Sequence, residues 1–125
     1  PDGFRYGNGF DTFKRFIDFS AENGFKYFMY GGGWKAAQSQ IDEYVDYADS
    51  KGIGVFLLYD DNNFPEYDYL SLQGVVDLYD GFGLAGIKWG RANYDPEWTR
   101  LSVDMVREKE LLVNFHDGPR PMIGT

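Results

Sequence analysis

"YADSKGIGVFLLYDD", residues 47–61, contains a complete structural transition. It begins at the end of a stretch in which Ile41, Tyr44, Val45 and Ala48 recur at helical three-and-four spacing. Gly52 follows, and glycine just past a last helical turn supplies the left-handed cap conformation without steric cost. Ile53 to Tyr59 is then almost continuously apolar, and Asp60 and Asp61 end the run. So short and apolar a run reads as a strand covered on both faces, which is the environment of a parallel sheet. The stretch predicts helix, glycine stop, parallel strand and polar loop, in that order.

The same grammar recurs on either side. "SAENGFKYFMYGGG" (20–33) has Gly24 as the stop and Phe25 to Tyr30 as the strand. "YDGFGLAGIKWG" (79–90) has Gly83 and then Ala85 to Trp89. "EKELLVNFHD" (108–117) reaches its strand through charged residues instead of a glycine. The strand starts recur every 26 to 32 residues, the length of one strand-plus-helix unit. Between them, Phe13, Phe16, Ile17 and Ser20 keep helical spacing after an expected Asp11-Thr12 cap. Leu72, Val75, Val76 and Tyr79 do the same, as do Trp98, Leu101, Met105 and Val106 after Asp95-Pro96, a helix start with proline in its first turn.

Four such units predict an α/β domain with parallel strands. Two architectures fit them: a small doubly wound sheet, or half of a (β/α)8 barrel whose full length is about 250 residues. Both bind ligands at the carboxyl ends of the strands. Asp60, Asp61, Arg91, Asn93, His116 and Asp117 all fall there, so His116, the only histidine, is expected at a mouth and not in the core.

Composition narrows the partners. The chain has 125 residues, enough for one domain, and its net charge of −8 disfavours nucleic acid and anionic membrane surfaces. No apolar run approaches the roughly 18 residues of a membrane span. Cysteine is absent, which removes disulfides and thiolate metal sites. Aromatic residues make up 19% of the chain, a surplus that would suit stacking on sugar rings as well as core packing. The chain starts at Pro1 and is expected to be a piece of a longer protein.

Individual residues each carry a plain and a functional reading. "GGGWK" (31–35) is a tight strand-to-helix turn or a phosphate cradle, but it lacks the lysine-serine ending and spacing of phosphate loops. Trp34 either roofs a sugar site or packs on a helix. Asp60 and Asp61 point to opposite sides of an extended chain, so only one of them can face a mouth. Arg91 either holds a substrate hydroxyl or carboxylate, or pairs with Asp95.

Read together, "DTFKRFIDFSAENGFKYFMYGGGW", "IDEYVDYADSKGIGVFLLY", "GFGLAGIKWG" and "LLVNFHDGPRP" resemble glycoside hydrolase family 97, enzymes that cleave α-linked glucosides or galactosides. The resemblance implies a partial (β/α)8 TIM barrel, with residues 1–125 carrying approximately strands two to five. It places Lys88 of "GIK" and His116 of "FHDG" in the site. Retaining members have a nucleophilic aspartate two residues after that lysine; Gly90 stands there, as in inverting members. Inverting members carry a glutamate just after the histidine, acting as general base and calcium ligand, and Asp117 occupies its place one methylene shorter. Gly31 and Gly32 stand where acidic residues are often found. The family's general-acid glutamate lies beyond the fifth strand, so the chain alone is expected to be inactive.

The resemblance thus implies an inverting α-glucosidase-like hydrolase of oligosaccharides, periplasmic or secreted, with Asp117 and His116 catalytic and Ca2+ bound through Asp117. Trp34, Asp60, Lys88, Trp89 and Arg91 are expected to bind substrate. Inversion at an acetal needs an acid on the leaving oxygen and a base activating water on the other face, about 6.5–9.5 Å apart. The competing reading is a non-catalytic half-barrel that binds carbohydrate through Trp34, Trp89 and His116 and pairs with a second copy, since open strand edges recruit partners. The expected partner is therefore either the remainder of the barrel or another copy of the chain. A weaker alternative is a barrel enzyme acting on phosphorylated sugars at Gly31 to Gly33.

Overall fold

The structure is a computed structural model and describes residues 3–59, 72–90 and 96–116. Helix α1 (Phe10–Glu22) leads to strand β1 (Tyr27–Tyr30). A 3-10 helix (Gly32–Gln40) and α2 (Ile41–Ser50) follow, then β2 (Gly54–Tyr59), α3 (Leu72–Asp80), β3 (Gly86–Trp89), α4 (Pro96–Glu108) and β4 (Leu112–Phe115).

The strands form one sheet in the order β1-β2-β3-β4, and every neighbouring pair is parallel. Sequential order decides between the two architectures. Right-handed crossovers that always step the same way put every helix on one face, whereas a doubly wound sheet reverses direction and covers both. The burial pattern agrees. Val55, Leu57, Ile87 and Trp89 are buried on one face, beneath Ile17 of α1, Tyr44 of α2, Tyr79 of α3 and Val106 of α4. On the other face Tyr27, Met29 and Leu112 are 51%, 44% and 45% exposed. These are four successive units of a (β/α)8-type barrel, with the face that would line its interior uncovered.

The glycine stops behave as expected. Gly24, Gly52 and Gly83 have φ of 74°, 72° and 68°. The fourth unit has no glycine, and Glu110 takes the left-handed conformation itself, at φ 57°. At Gly24, Gly52 and Glu110 the next residue donates back to a carbonyl five positions earlier: Phe25 to Ser20, Ile53 to Ala48 and Leu111 to Val106. That bond is the signature of a Schellman cap. It also explains why each of these strands starts after its apolar run begins: the first apolar residue belongs to the helix cap.

One local expectation is corrected. Helix α1 starts at Phe10, capped by the Gly9 backbone with no side-chain cap bond, so Asp11 and Thr12 lie inside its first turn. Thr12 is buried there, and its Oγ1 accepts from the Gly7 N–H at 2.9 Å, because the preceding arm folds over the helix start. The glycine run makes the expected strand-to-helix turn. It enters nine residues of 3-10 helix, an unusual length, which bring Trp34 against β2.

Candidate active site

Parallel register places the functional candidates. Lys88 on β3 is paired directly with Asn114 on β4, and Leu58 on β2 is paired with Lys88. All three lie on the uncovered face, because alternation puts the buried Ile87 and Trp89 on the helix side. The Lys88 ammonium donates to Asn114 Oδ1 at 3.1 Å. The His116 N–H donates to the Trp89 carbonyl at 3.0 Å and extends the ladder by one residue. His116, two positions beyond Asn114, therefore shares its face and is exposed. Lys88, Asn114 and His116 form a polar patch at the carboxyl tips, above an apolar floor of Met29, Phe56 and Leu112.

That floor has a specific shape. A Cβ on Gly86 would press into the Phe56 ring and come within 2.5 Å of the Leu112 carbonyl oxygen. Phe56 therefore lies across the space that a side chain at Gly86 would fill.

The two tryptophans are placed otherwise than expected. Trp34 is fully buried, and its indole N–H donates to the Leu58 carbonyl at 2.8 Å. Trp89 is 1% exposed, on the helix side between Tyr59 and Trp98, with ring centroids at 5.5 and 5.3 Å. Neither offers a ring face to a sugar, and the expectation of a stacking platform at Trp34 or Trp89 is corrected. Both are core residues, because strand alternation and the 3-10 helix turn them inward. The Trp89 indole N–H is buried without an acceptor among the described residues.

Asp60, Arg91 and Asp117 lie outside the described residues, as does Asp61. Among the described residues no group of three His, Cys, Asp or Glu side chains gathers as a metal site. The described part of the tips carries an ammonium, a carboxamide and an imidazole, of which only the carboxamide oxygen, already engaged by Lys88, suits a hard cation such as calcium. A cleft of about 250 Å3 lies elsewhere, along β1, between the arm at Asn8 and the glycine run. Tyr30 closes one side of it, its hydroxyl donating to the Asn8 carbonyl at 2.7 Å. Among the described residues no lysine or arginine lines this cleft to help the glycine run hold a phosphate.

The family follows from comparison with known sequences. A model of glycoside hydrolase 97 matches residues 1–124. The chain belongs to glycoside hydrolase family 97. A retaining alpha-galactosidase from Bacteroides thetaiotaomicron is 26% identical over 137 aligned positions, covering 96% of this chain and 20% of that protein. Among solved structures, a beta-arabinopyranosidase superposes with a TM-score of 0.73 at 20% identity, covering 87% of this chain and 20% of the other. That likeness is one of fold. The family 97 chain described here spans about one fifth of the length of either relative.

Asn114 was not singled out from the sequence. Its signal was there: it lies two residues before His116, and one strand-plus-helix unit brings it level with Lys88.

Proposed function

We propose that the protein hydrolyses α-glycosidic bonds in oligosaccharides as an inverting, α-glucosidase-like enzyme, and that this chain forms one wall of its catalytic barrel. The observation that carries the reading is the patch of Lys88, Asn114 and His116 at the carboxyl tips of parallel strands in a family 97 chain. Gly90, two residues beyond Lys88 and just past the end of β3, bears no nucleophile. By the family resemblance, the absence of a carboxylate at that place goes with inverting members, and this supports inversion through activated water.

In this mechanism Lys88 donates to hydroxyl oxygens of the bound sugar and holds the ring against β3. His116, one row further out, donates to a hydroxyl nearer the scissile bond. Asp117 takes the proton of the attacking water, and a carboxylic acid supplied from outside residues 1–125 protonates the leaving oxygen. The exposed Tyr27, Met29 and Leu112 support a second element of the proposal, that the remainder of a barrel covers this face. They equally favour the alternative of a carbohydrate-binding half-barrel closed by a second copy, since a parallel sheet is ordinarily covered on both faces.

Hydrolysis of an aryl α-glucoside by the whole protein, with and without calcium, tests the reading. Proton NMR of the first-formed sugar anomer is followed in the same reaction. The expected result is β-glucose released first, with Asp117→Ala lowering kcat by about 10²–10⁴-fold. Release of the α-anomer would overturn inversion. Sugar binding without turnover, together with dimers in light scattering, would favour the half-barrel.

A further inference from the structure

We propose that Asn114 is a positioning residue for Lys88: its carboxamide oxygen holds the ammonium where a sugar hydroxyl meets it, without cancelling the charge. The proposal rests on the glycosidase reading above. A lysine carries a long stem with many rotamers, so its charge is useful at a defined place only if something holds it there. Here the holder is fixed by the sheet. Lys88 and Asn114 are direct cross-strand partners, and the backbone bonds on either side, Leu112 N–H to the Ala85 carbonyl at 2.9 Å and His116 N–H to the Trp89 carbonyl at 3.0 Å, set their spacing. On the other flank the partner is Leu58, an apolar side chain that offers the lysine nothing to bond.

The chemistry of the holder matters as much as its place. Among the described residues no carboxylate forms an ion pair with Lys88, although such pairs hold Lys14, Lys51 and Lys109. A carboxamide oxygen accepts one of the three ammonium N–H bonds and leaves the net positive charge intact. The other two donors stay available to substrate oxygens. With its oxygen committed to Lys88, the carboxamide must turn its NH2 away from the ammonium, since donors do not face donors. Lysine and asparagine together therefore present N–H groups, and a sugar hydroxyl oxygen is the acceptor they fit.

The test is a double-mutant cycle in the whole protein, read alongside NMR of lysine labelled with 13C at Cε. Asn114→Leu keeps the branching at Cγ and removes the acceptor; Asn114→Asp keeps an acceptor oxygen. The expected result is that N114L loses about tenfold in kcat/KM, the size of one hydrogen bond to a charged group. The same change in a K88M background costs nothing further, because nothing is left to position. In the NMR arm, the Lys88 Cε signal of N114L moves toward that of a freely rotating surface lysine, and N114D restores its order. Equal losses from N114L in the Lys88 and K88M backgrounds would mean a merely structural role and overturn the proposal. So would an unchanged Lys88 signal in N114L. If the wild-type protein neither binds nor cleaves an α-glycoside, the glycosidase reading has failed, and the NMR arm alone then decides whether Asn114 holds Lys88.

Discussion

Trp34 and Tyr79 donate to the same oxygen. The indole N–H of one and the hydroxyl of the other reach the Leu58 carbonyl, at 2.8 and 3.0 Å. Strand β1 has ended by that level, since Tyr30 pairs with Leu57, and no backbone amide of β1 is placed to take this carbonyl. Two side chains from different helices substitute for the missing strand, their rings 5.8 Å apart and edge to face. Removing the Tyr79 hydroxyl with Tyr79→Phe is expected to cost about 1 kcal/mol in urea unfolding. Trp34→Phe is expected to cost roughly 2–3 kcal/mol, because it adds a void. The double variant should lose more than the sum, since the carbonyl then has neither donor. Strict additivity would show that the shared acceptor is not what couples them.

Gly86 is expected to tolerate no side chain. In Gly86→Ala the Phe56 ring can rotate away, but the Leu112 carbonyl oxygen is backbone and cannot follow. The cost should be about 1–3 kcal/mol, the usual range for overpacking. Adding Phe56→Leu should recover only part of it. Full recovery would mean that the β3–β4 pair yields more easily than its ladder implies.

Glu110 offers the opposite opportunity. A side chain at φ 57° costs roughly 1–2 kcal/mol, and glycine removes that cost while gaining freedom in the unfolded chain. Glu110→Gly should therefore stabilise the protein by about 0.5–1 kcal/mol, visible as a higher denaturation midpoint. Glu110→Ala, which keeps a Cβ at the same dihedral, should gain little. Equal effects from the two would point to charge and away from backbone conformation.

The α1–α2 contact is expected to be sensitive to acid. Asp18 accepts from the Tyr47 hydroxyl at 2.7 Å and pairs with Lys51 at 3.1 Å. The tyrosine bond, the largest effect, holds the Asp18 carboxyl below the ordinary aspartate value; burial opposes it, and the Lys51 bond and charge act with the tyrosine. A depressed folded value means that the contact stabilises above the ordinary aspartate pKa and is lost as pH falls through the lowered one. Carbon NMR of the Asp18 carboxyl should show a low midpoint that moves upward in Tyr47→Phe. A midpoint indifferent to that change would assign the shift to Lys51 instead.

The fold was legible because its signals are local. Gly24, Gly52 and Gly83 mark helix ends by a backbone conformation that glycine favours, and Val55, Leu57 and Ile87 declare strands by sheer apolar density. The site was legible only in part. His116 stands out as the only histidine and Lys88 through the family resemblance, and alternation turns both toward the open face. Trp34 and Trp89 misled because an indole serves equally as a sugar platform or as core, and residue type does not say which way a side chain points. Asn114 was overlooked for the converse reason: its role exists only as a relation to a lysine 26 positions away.

Sequence alone determined the periodic units and three of their glycine stops, which follow from forces acting within a few residues, and unit length with apolar density implied the parallel sense. It did not determine the order of the strands, the face each tryptophan took, or the pairing of Lys88 with Asn114. Those were decided by register, because hydrogen bonding between distant strands fixes which side chains become neighbours, and no local preference encodes that distance.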